Sequence, residues 1–385
     1  MKTSTYYRAL KLLDNWISKN DWAGYDPYDL LGTIPFIVLQ KNTVTKFIAM
    51  KIAGRFPIIL RRVFRIKKTI NPKAMGLFAR GYLLLYTKTG NSEYLKKALY
   101  ALEWLIKNPN KGYSGFCWGY PFDWQSRVFI PKYTPSGVVT SVVAHAFIDA
   151  YEVLGEKKYL EIAKSTAKFF MNDLNVDHID DETICFSYTP LDRFHVHNAN
   201  LWVASVLARL WKYWKEDTLL DFALKAVNYT VSDQNKDGSW YYWGPPDKRL
   251  YVIDNYHTGF VLETLNIIRK ILGESFTYEQ NLRKGLEYYI RNLFLPDGTP
   301  KMTPSSVYPI DIHSAAQGII TCSELSELNP SCKKLGEKIA LWTIRNMQDP
   351  NEGYFYYRIY PNRIDRTPYI RWGQAWMLRA LSYLV

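Results

Sequence analysis

PSGVVTSVVAHAFIDAYEVL, residues 135–154, is followed at 155–173 by GEKKYLEIAKSTAKFFMND. The first stretch is small or apolar on nearly every face, the pattern of a helix buried all round. The second opens on a Gly turn and carries Lys and Glu along one side, the pattern of an outer helix with one wet face. The same couplet recurs along the whole chain. Its period predicts inner helices near 72–87, 135–153, 198–213, 256–272, 313–327 and 371–384. Outer helices are expected near 4–18, 93–108, 157–173, 217–232, 278–292 and 333–347.

A polar and aromatic knot precedes each inner helix. The knots read INPKAMG (70–76), YTPSGVV (133–139), VHNANLW (196–202), IDNYHTGF (253–260), PIDIHSAAQ (309–317) and PYIRWGQAW (368–376). They return roughly every 60 residues, a period that marks a repeat architecture. Six alternating hairpins close into an all-α (α/α)6 toroid with parallel inner helices, so every knot faces one end. No Pro-, Gly- or Ser-rich linker divides residues 1–385, which read as one domain with 20–70 as an elaborated first connection. The loops NPNKGYSGFCWGY (108–120), DQNKDGSWYYWG (233–244), LPDGTPKM (295–302) and QDPNEGYFYYR (348–358) carry tight-turn steps. Their flanking aromatics alternate like short β-ribbons.

The repeat and these loops resemble the six-hairpin glycosidase-like superfamily. Its members include unsaturated glucuronyl hydrolases and the toroid domains of uronate polysaccharide lyases and glucuronyl epimerases. The knots are also similar to those of uncharacterised proteins from surface-polysaccharide gene clusters. The resemblance covers nearly the whole chain and implies a sugar-binding funnel where the inner helices begin. It rests on architecture and supplies no unique catalytic signature.

Composition sets outer bounds. The formal net charge is +13, which suits anionic partners such as an acidic polysaccharide, or simply a Lys-rich exterior. Much of the excess lies between Arg55 and Lys73. Within it, RFPIILRRVFRIKK (55–68) is suited either to an anionic membrane face or to a surface helix with an apolar underside. Four cysteines without metal spacing fit reduced thiols and a cytoplasmic location. No N-terminal signal peptide is read, and no run of about 18 apolar residues suggests a membrane span. Neither a phosphate-binding Gly loop nor a nucleic-acid module is present in the sequence, so neither a nucleotide cofactor nor nucleic acid is expected.

Candidate chemistry gathers in the knots. Glycoside hydrolysis needs an acid and a base or nucleophile, generally two carboxyl groups. Asp123, ringed by Trp118, Tyr120, Phe122 and Trp124, is the expected acid, because apolar rings raise a carboxyl pKa. Asp254 or Asp311 is the expected base, although each is equally suited to capping its helix. The alternative is lyase or C5-epimerase chemistry on a uronate, with Tyr256 and His257 as acid and base. His197 and Asn198 would then hold the carboxylate, with Arg371 pairing to it bidentately, and Arg127 and Arg193 are further anion partners. Trp118, Trp124 and Trp372 offer sugar-stacking faces. His313 and Gln317 offer polar contacts. His195, His197, His257 and His313 with the two aspartates lack a known zinc spacing, and no metal is expected. The knots at 70–76 and 133–139 are expected to carry little ionisable chemistry. A non-catalytic sugar-binding scaffold is the remaining alternative.

Overall fold

The computed structural model describes residues 2–39, 43–246 and 251–385. Its inner helices are α5 (Pro72–Thr89), α7 (Gly137–Leu154), α9 (His197–Trp214), α11 (Asn255–Leu272), α13 (Ile312–Glu324) and α15 (Trp376–Ser382). Each packs on the next, and α15 returns to α5, so the ring is closed. The outer helices are α1 (Lys2–Lys19), α6 (Ser92–Lys107), α8 (Lys157–Asn172), α10 (Asp217–Ser232), α12 (Glu279–Asn292) and α14 (Ser331–Met347). The chain is therefore an (α/α)6 toroid, and one hydrophobic cluster runs from Tyr6 to Leu381.

Local chemistry explains the couplets. Four knots cap their own inner helix: Asn71 accepts from the Lys73 N–H, Ser136 from Val139, Asp254 from His257 and Asp311 from His313. Gly90 and Gly155 end α5 and α7 in the left-handed conformation, which glycine adopts without a Cβ clash. Gly81 permits ring closure, since a Cβ there would stand 2.9 Å from Leu378 Cδ2 on α15. The last inner helix departs from expectation. It opens with a π-helical turn, Ile370–Ala375, that carries Arg371, Trp372 and Gln374. Such wide turns recur at functional sites.

By length and composition alone α7 could cross a membrane, but most of it is buried inside the toroid, where it serves as a wall of the inner ring.

The tight turns predicted in the inter-helix loops are present, with Gly238, Gly298 and Gly353 at positive φ. The ribbons there shrink to single bridges such as Phe294 with Pro300 and Gln348 with Phe355. The loop aromatics turn inward instead of alternating. The Trp118 indole donates to the Leu105 carbonyl at the end of α6, and Trp240 donates to Thr230 on α10. The regular strand pairs lie mainly in other segments: β1 (Trp124–Gln125) with β2 (Phe129–Ile130), β3 (Val176–Asp180) with β4 (Thr183–Phe186), and β5 (Ile310–Asp311) with β6 (Arg358–Tyr360) and β7 (Arg363–Asp365).

The first connection folds as α2 (Ile34–Leu39), α3 (Thr43–Arg55) and α4 (Pro57–Val63). A small separate core of Leu30 and Phe36, backed by Ala53, Leu60 and Ile66, holds it together. It is pinned to the knot end through Arg61, which donates to Asp29 and to the Asp26 carbonyl. Arg61 also lies 5.0 Å from the Tyr369 ring.

Candidate active site

All six inner helices, or the turns that open them, contribute to one cavity of about 140 Å³ at the knot end. Lys73, Val138, Asn198, Tyr256, His257, Phe260, His313, Arg371 and Trp372 come from the helix starts. Tyr28, Tyr120, Phe122, Trp124, Tyr188, Tyr242 and Trp243 come from loops and form an aromatic wall. Among the described residues, no Asp or Glu lines this cavity.

Two histidines face it in different states. The His257 ring presents Nδ1 to Asp254 at 2.6 Å, and Asp254 also caps α11 through the His257 N–H. A carboxylate only accepts, so Nδ1 carries a proton, and in the neutral ring the lone pair is on Nε2. His313 is buried, and neither ring nitrogen has a hydrogen-bond partner. Burial drives its pKa well below the ordinary value, and the nearby charges of Lys73 and Arg371 push the same way. His313 is therefore a neutral imidazole at pH 7. Tyr256 touches both rings, with centroids 4.2 Å from His257 and 4.8 Å from His313. Burial, then the charge of Asp254, raises the Tyr256 pKa, so the phenol keeps its proton.

The two cations of the cavity also differ. Burial works against the Arg371 charge, but a two-pronged contact with Asp26 at 2.5 and 2.7 Å sustains it and raises its pKa. Among the described residues, Lys73 has no carboxylate in contact, and only the more distant charges of Asp26 and Glu263 favour its ionisation. Its ammonium lies 5.7 Å from the Phe260 ring and 5.5 Å from the Trp376 ring. Burial, then repulsion from Arg371, lowers its pKa well below that of an ordinary lysine. The knot at 70–76, expected to be poor in ionisable chemistry, thus supplies the cavity's one cation without a carboxylate against it among the described residues.

Solved structures resemble this chain in fold at low sequence identity. A sugar epimerase from a ruminal bacterium matches with TM-score 0.64 and 12% identity over 81% of this chain and 86% of its own. The α-mannanase of Bacteroides thetaiotaomicron matches with TM-score 0.61 and 14% identity, over 83% and 88%. An unsaturated glucuronyl hydrolase specific for heparin matches with TM-score 0.58 and 13% identity, over 83% and 87%. These likenesses show the fold alone, an (α/α)6 toroid. No protein-family model matches the chain, and no curated protein sequence does.

Within this (α/α)6 toroid, the residues singled out from sequence separate into two groups. Trp124, Asn198, Tyr256, His257, His313, Arg371 and Trp372 meet at the cavity, and the Asn198 side-chain oxygen Oδ1 is buried without a partner. Asp254 stands directly behind them through His257. The others lie outside the cavity lining. Asp123 accepts from the Lys132 N–H at 2.6 Å, across the β1–β2 hairpin. Asp311 is fully buried behind Trp372, accepting from Trp372 Nε1, Arg358 Nε and the His313 N–H. Trp118 is buried against α6. His197 reaches Asp233 and Thr230, and His195 reaches Asp177 and the Pro245 carbonyl, so these rings brace loops. Gln317 lies deeper in the barrel and donates to Glu263 and Thr321. Arg127 is at the rim, 4.3 Å from the Trp243 ring, and Arg193 pairs with Asp177 at the surface. Gln374 bonds both backbone groups of Phe355.

Sequence reading missed Lys73 and Tyr28. Lys73 carried one signal: it is the only charge near the start of an otherwise apolar helix. Asp26, which fixes Arg371 from 345 positions away, carried none.

Proposed function

We infer that this protein is a carbohydrate-active enzyme that moves a proton at a carbon next to a carboxyl group, as in uronate epimerisation or elimination. One observation carries the reading. The Asp254–His257 pair opens into a cavity lined by neutral His313, protonated Tyr256 and Lys73, with no carboxylate among the described lining residues. His257 Nε2 takes the substrate C–H proton, and Asp254 stabilises the imidazolium that forms. The electron pair moves into the substrate carboxyl group. Lys73, whose charge an anionic substrate would favour, stabilises that enolate-like charge together with an N–H of His313. Tyr256 returns a proton, either to the same carbon or to the leaving oxygen. The aromatic wall supplies faces for one sugar ring.

Glycoside hydrolysis, the leading expectation from sequence, has weaker support in the geometry. It asks for two carboxyl groups flanking one glycosidic oxygen. The fold neighbours include hydrolases, a lyase and epimerases, which supports a carbohydrate substrate without choosing the reaction.

The test is incubation with uronate-containing oligosaccharides in D2O. Deuterium at C5, or an ultraviolet-absorbing 4,5-unsaturated product, is expected. Chain cleavage to saturated sugars without deuterium at C5 would support hydrolysis instead. Binding without any turnover across such substrates would support the scaffold reading.

A further inference from the structure

We propose that the first connection docks the knot end of the toroid onto an anionic lipid bilayer. Residues 40–69 contain nine Lys or Arg and no Asp or Glu, so this short stretch holds nine of the chain's thirteen net positive charges. Within α3 and α4 the inward side chains Ala53 and Leu60 pack on the small core of Leu30 and Phe36. One row of outward side chains is also apolar. Ile48, Ile52, Phe56, Ile59 and Val63 recur at steps of three and four residues and are exposed, Ile59 at 59% and Val63 at 67%. Lys51, Arg55, Arg62, Lys67 and Lys68 flank this stripe, and all are exposed.

Bulky apolar residues ringed by basic ones match the boundary between lipid headgroups and acyl chains. Each exposed Lys or Arg adds attraction to an anionic leaflet, and the apolar stripe adds area that leaves water. A second copy of this chain is a poor occupant. A two-fold interface sets a patch against itself, which here would bring basic residues against basic residues. The connection is anchored where the cavity opens: Arg61 holds Asp29 and the Asp26 carbonyl, Asp26 holds Arg371, and Tyr28 lines the cavity. Arg363 beside β6 donates to the Gly54 carbonyl of α3 from the same end. Docking through this face therefore brings the cavity mouth toward the headgroups. The inference rests on this surface and is independent of the reaction proposed above.

Vesicle co-sedimentation of the full chain tests it. Binding is expected to phosphatidylcholine vesicles containing about 30% phosphatidylglycerol, to fall as salt rises, and to be absent with phosphatidylcholine alone. The double variant Ile59→Asp, Val63→Asp should bind about tenfold more weakly or worse, and Lys67→Ala, Lys68→Ala should show a similar loss. All four side chains are exposed, so thermal unfolding of both variants should match the parent. Failure of the parent to sediment with anionic vesicles would overturn the proposal. So would equal binding by the Ile59→Asp, Val63→Asp variant. A concentration-dependent dimer that this variant abolishes would assign the face to a second copy instead.

Discussion

Two knots carry nearly the same letters and do different things. In Asp254-Asn-Tyr-His257 the carboxylate caps the helix and also grips the imidazole three residues on, at 2.6 Å. In Asp311-Ile-His313 the carboxylate caps the helix but turns to Arg358 and Trp372, and the imidazole two residues on is left bare. One extra residue makes the difference. A side chain at the third helical position reaches back over the capping residue, the geometry of a capping box, whereas one at the second position does not. The first spacing yields an oriented imidazole. The second yields a neutral imidazole available to a ligand, and a carboxylate that serves the frame.

The largest test of that contrast is His257→Asn. Turnover should fall by about 10²–10⁴-fold with the fold intact, as measured by steady-state rates alongside circular dichroism. Asp254→Asn should cost roughly as much in turnover, because the amide cannot support the imidazolium, while unfolding changes by less than about 1 kcal/mol, since Asn also caps helices. Asp311→Asn should invert the pattern. It uncouples Arg358 and weakens the seat of Trp372, costing about 3 kcal/mol in denaturant unfolding with a smaller effect on turnover. If Asp254→Asn and Asp311→Asn behave alike, the two knots are not functionally distinct.

The bare histidine also sets a pH signature. His313 is held neutral in the folded chain, with its pKa well below the ordinary value, whereas the unfolded chain gains a proton there below about pH 6.5. Stability is thus fully present above that pH. It falls by about 1.4 kcal/mol per pH unit as pH drops from there toward the folded-state pKa. His145, also buried and lowered, acts in the same direction. Urea midpoints at pH 7 and pH 5.5 measure this loss, and His313→Gln should reduce it by about 1 kcal/mol over that interval. The smallest expected effect is Trp118→Phe, a loss of about 1 kcal/mol from the missing bond to Leu105, with KM unchanged. A raised KM would instead restore Trp118 as a sugar platform.

The toroid was legible in the sequence because its evidence is local and repeated. Small residues all round 135–154, one wet face on 157–173 and Gly at 90 and 155 each state a helix type or its end. The knot end was legible for the same reason, since parallel inner helices bring their starts together. The roles within it were not, because they depend on partners far apart in the chain. Nothing near Arg371 indicates that Asp26 will hold it, and nothing near Asp311 indicates Arg358. Trp118 and Trp240 have the composition of sugar-stacking residues, yet each uses its indole N–H to finish an outer helix. Lys73 was overlooked because its knot otherwise reads as a cap.

The central claim is that the His257–Asp254 pair removes a carbon-bound proton. Solvent deuterium exchange at C5 of a uronate oligosaccharide, followed by NMR with the parent and with Asp254→Asn, tests it most directly. Exchange or elimination by the parent, lowered at least about 100-fold in Asp254→Asn, is the predicted result. Turnover that leaves the C5 hydrogen in place, or exchange undiminished in Asp254→Asn, would contradict it.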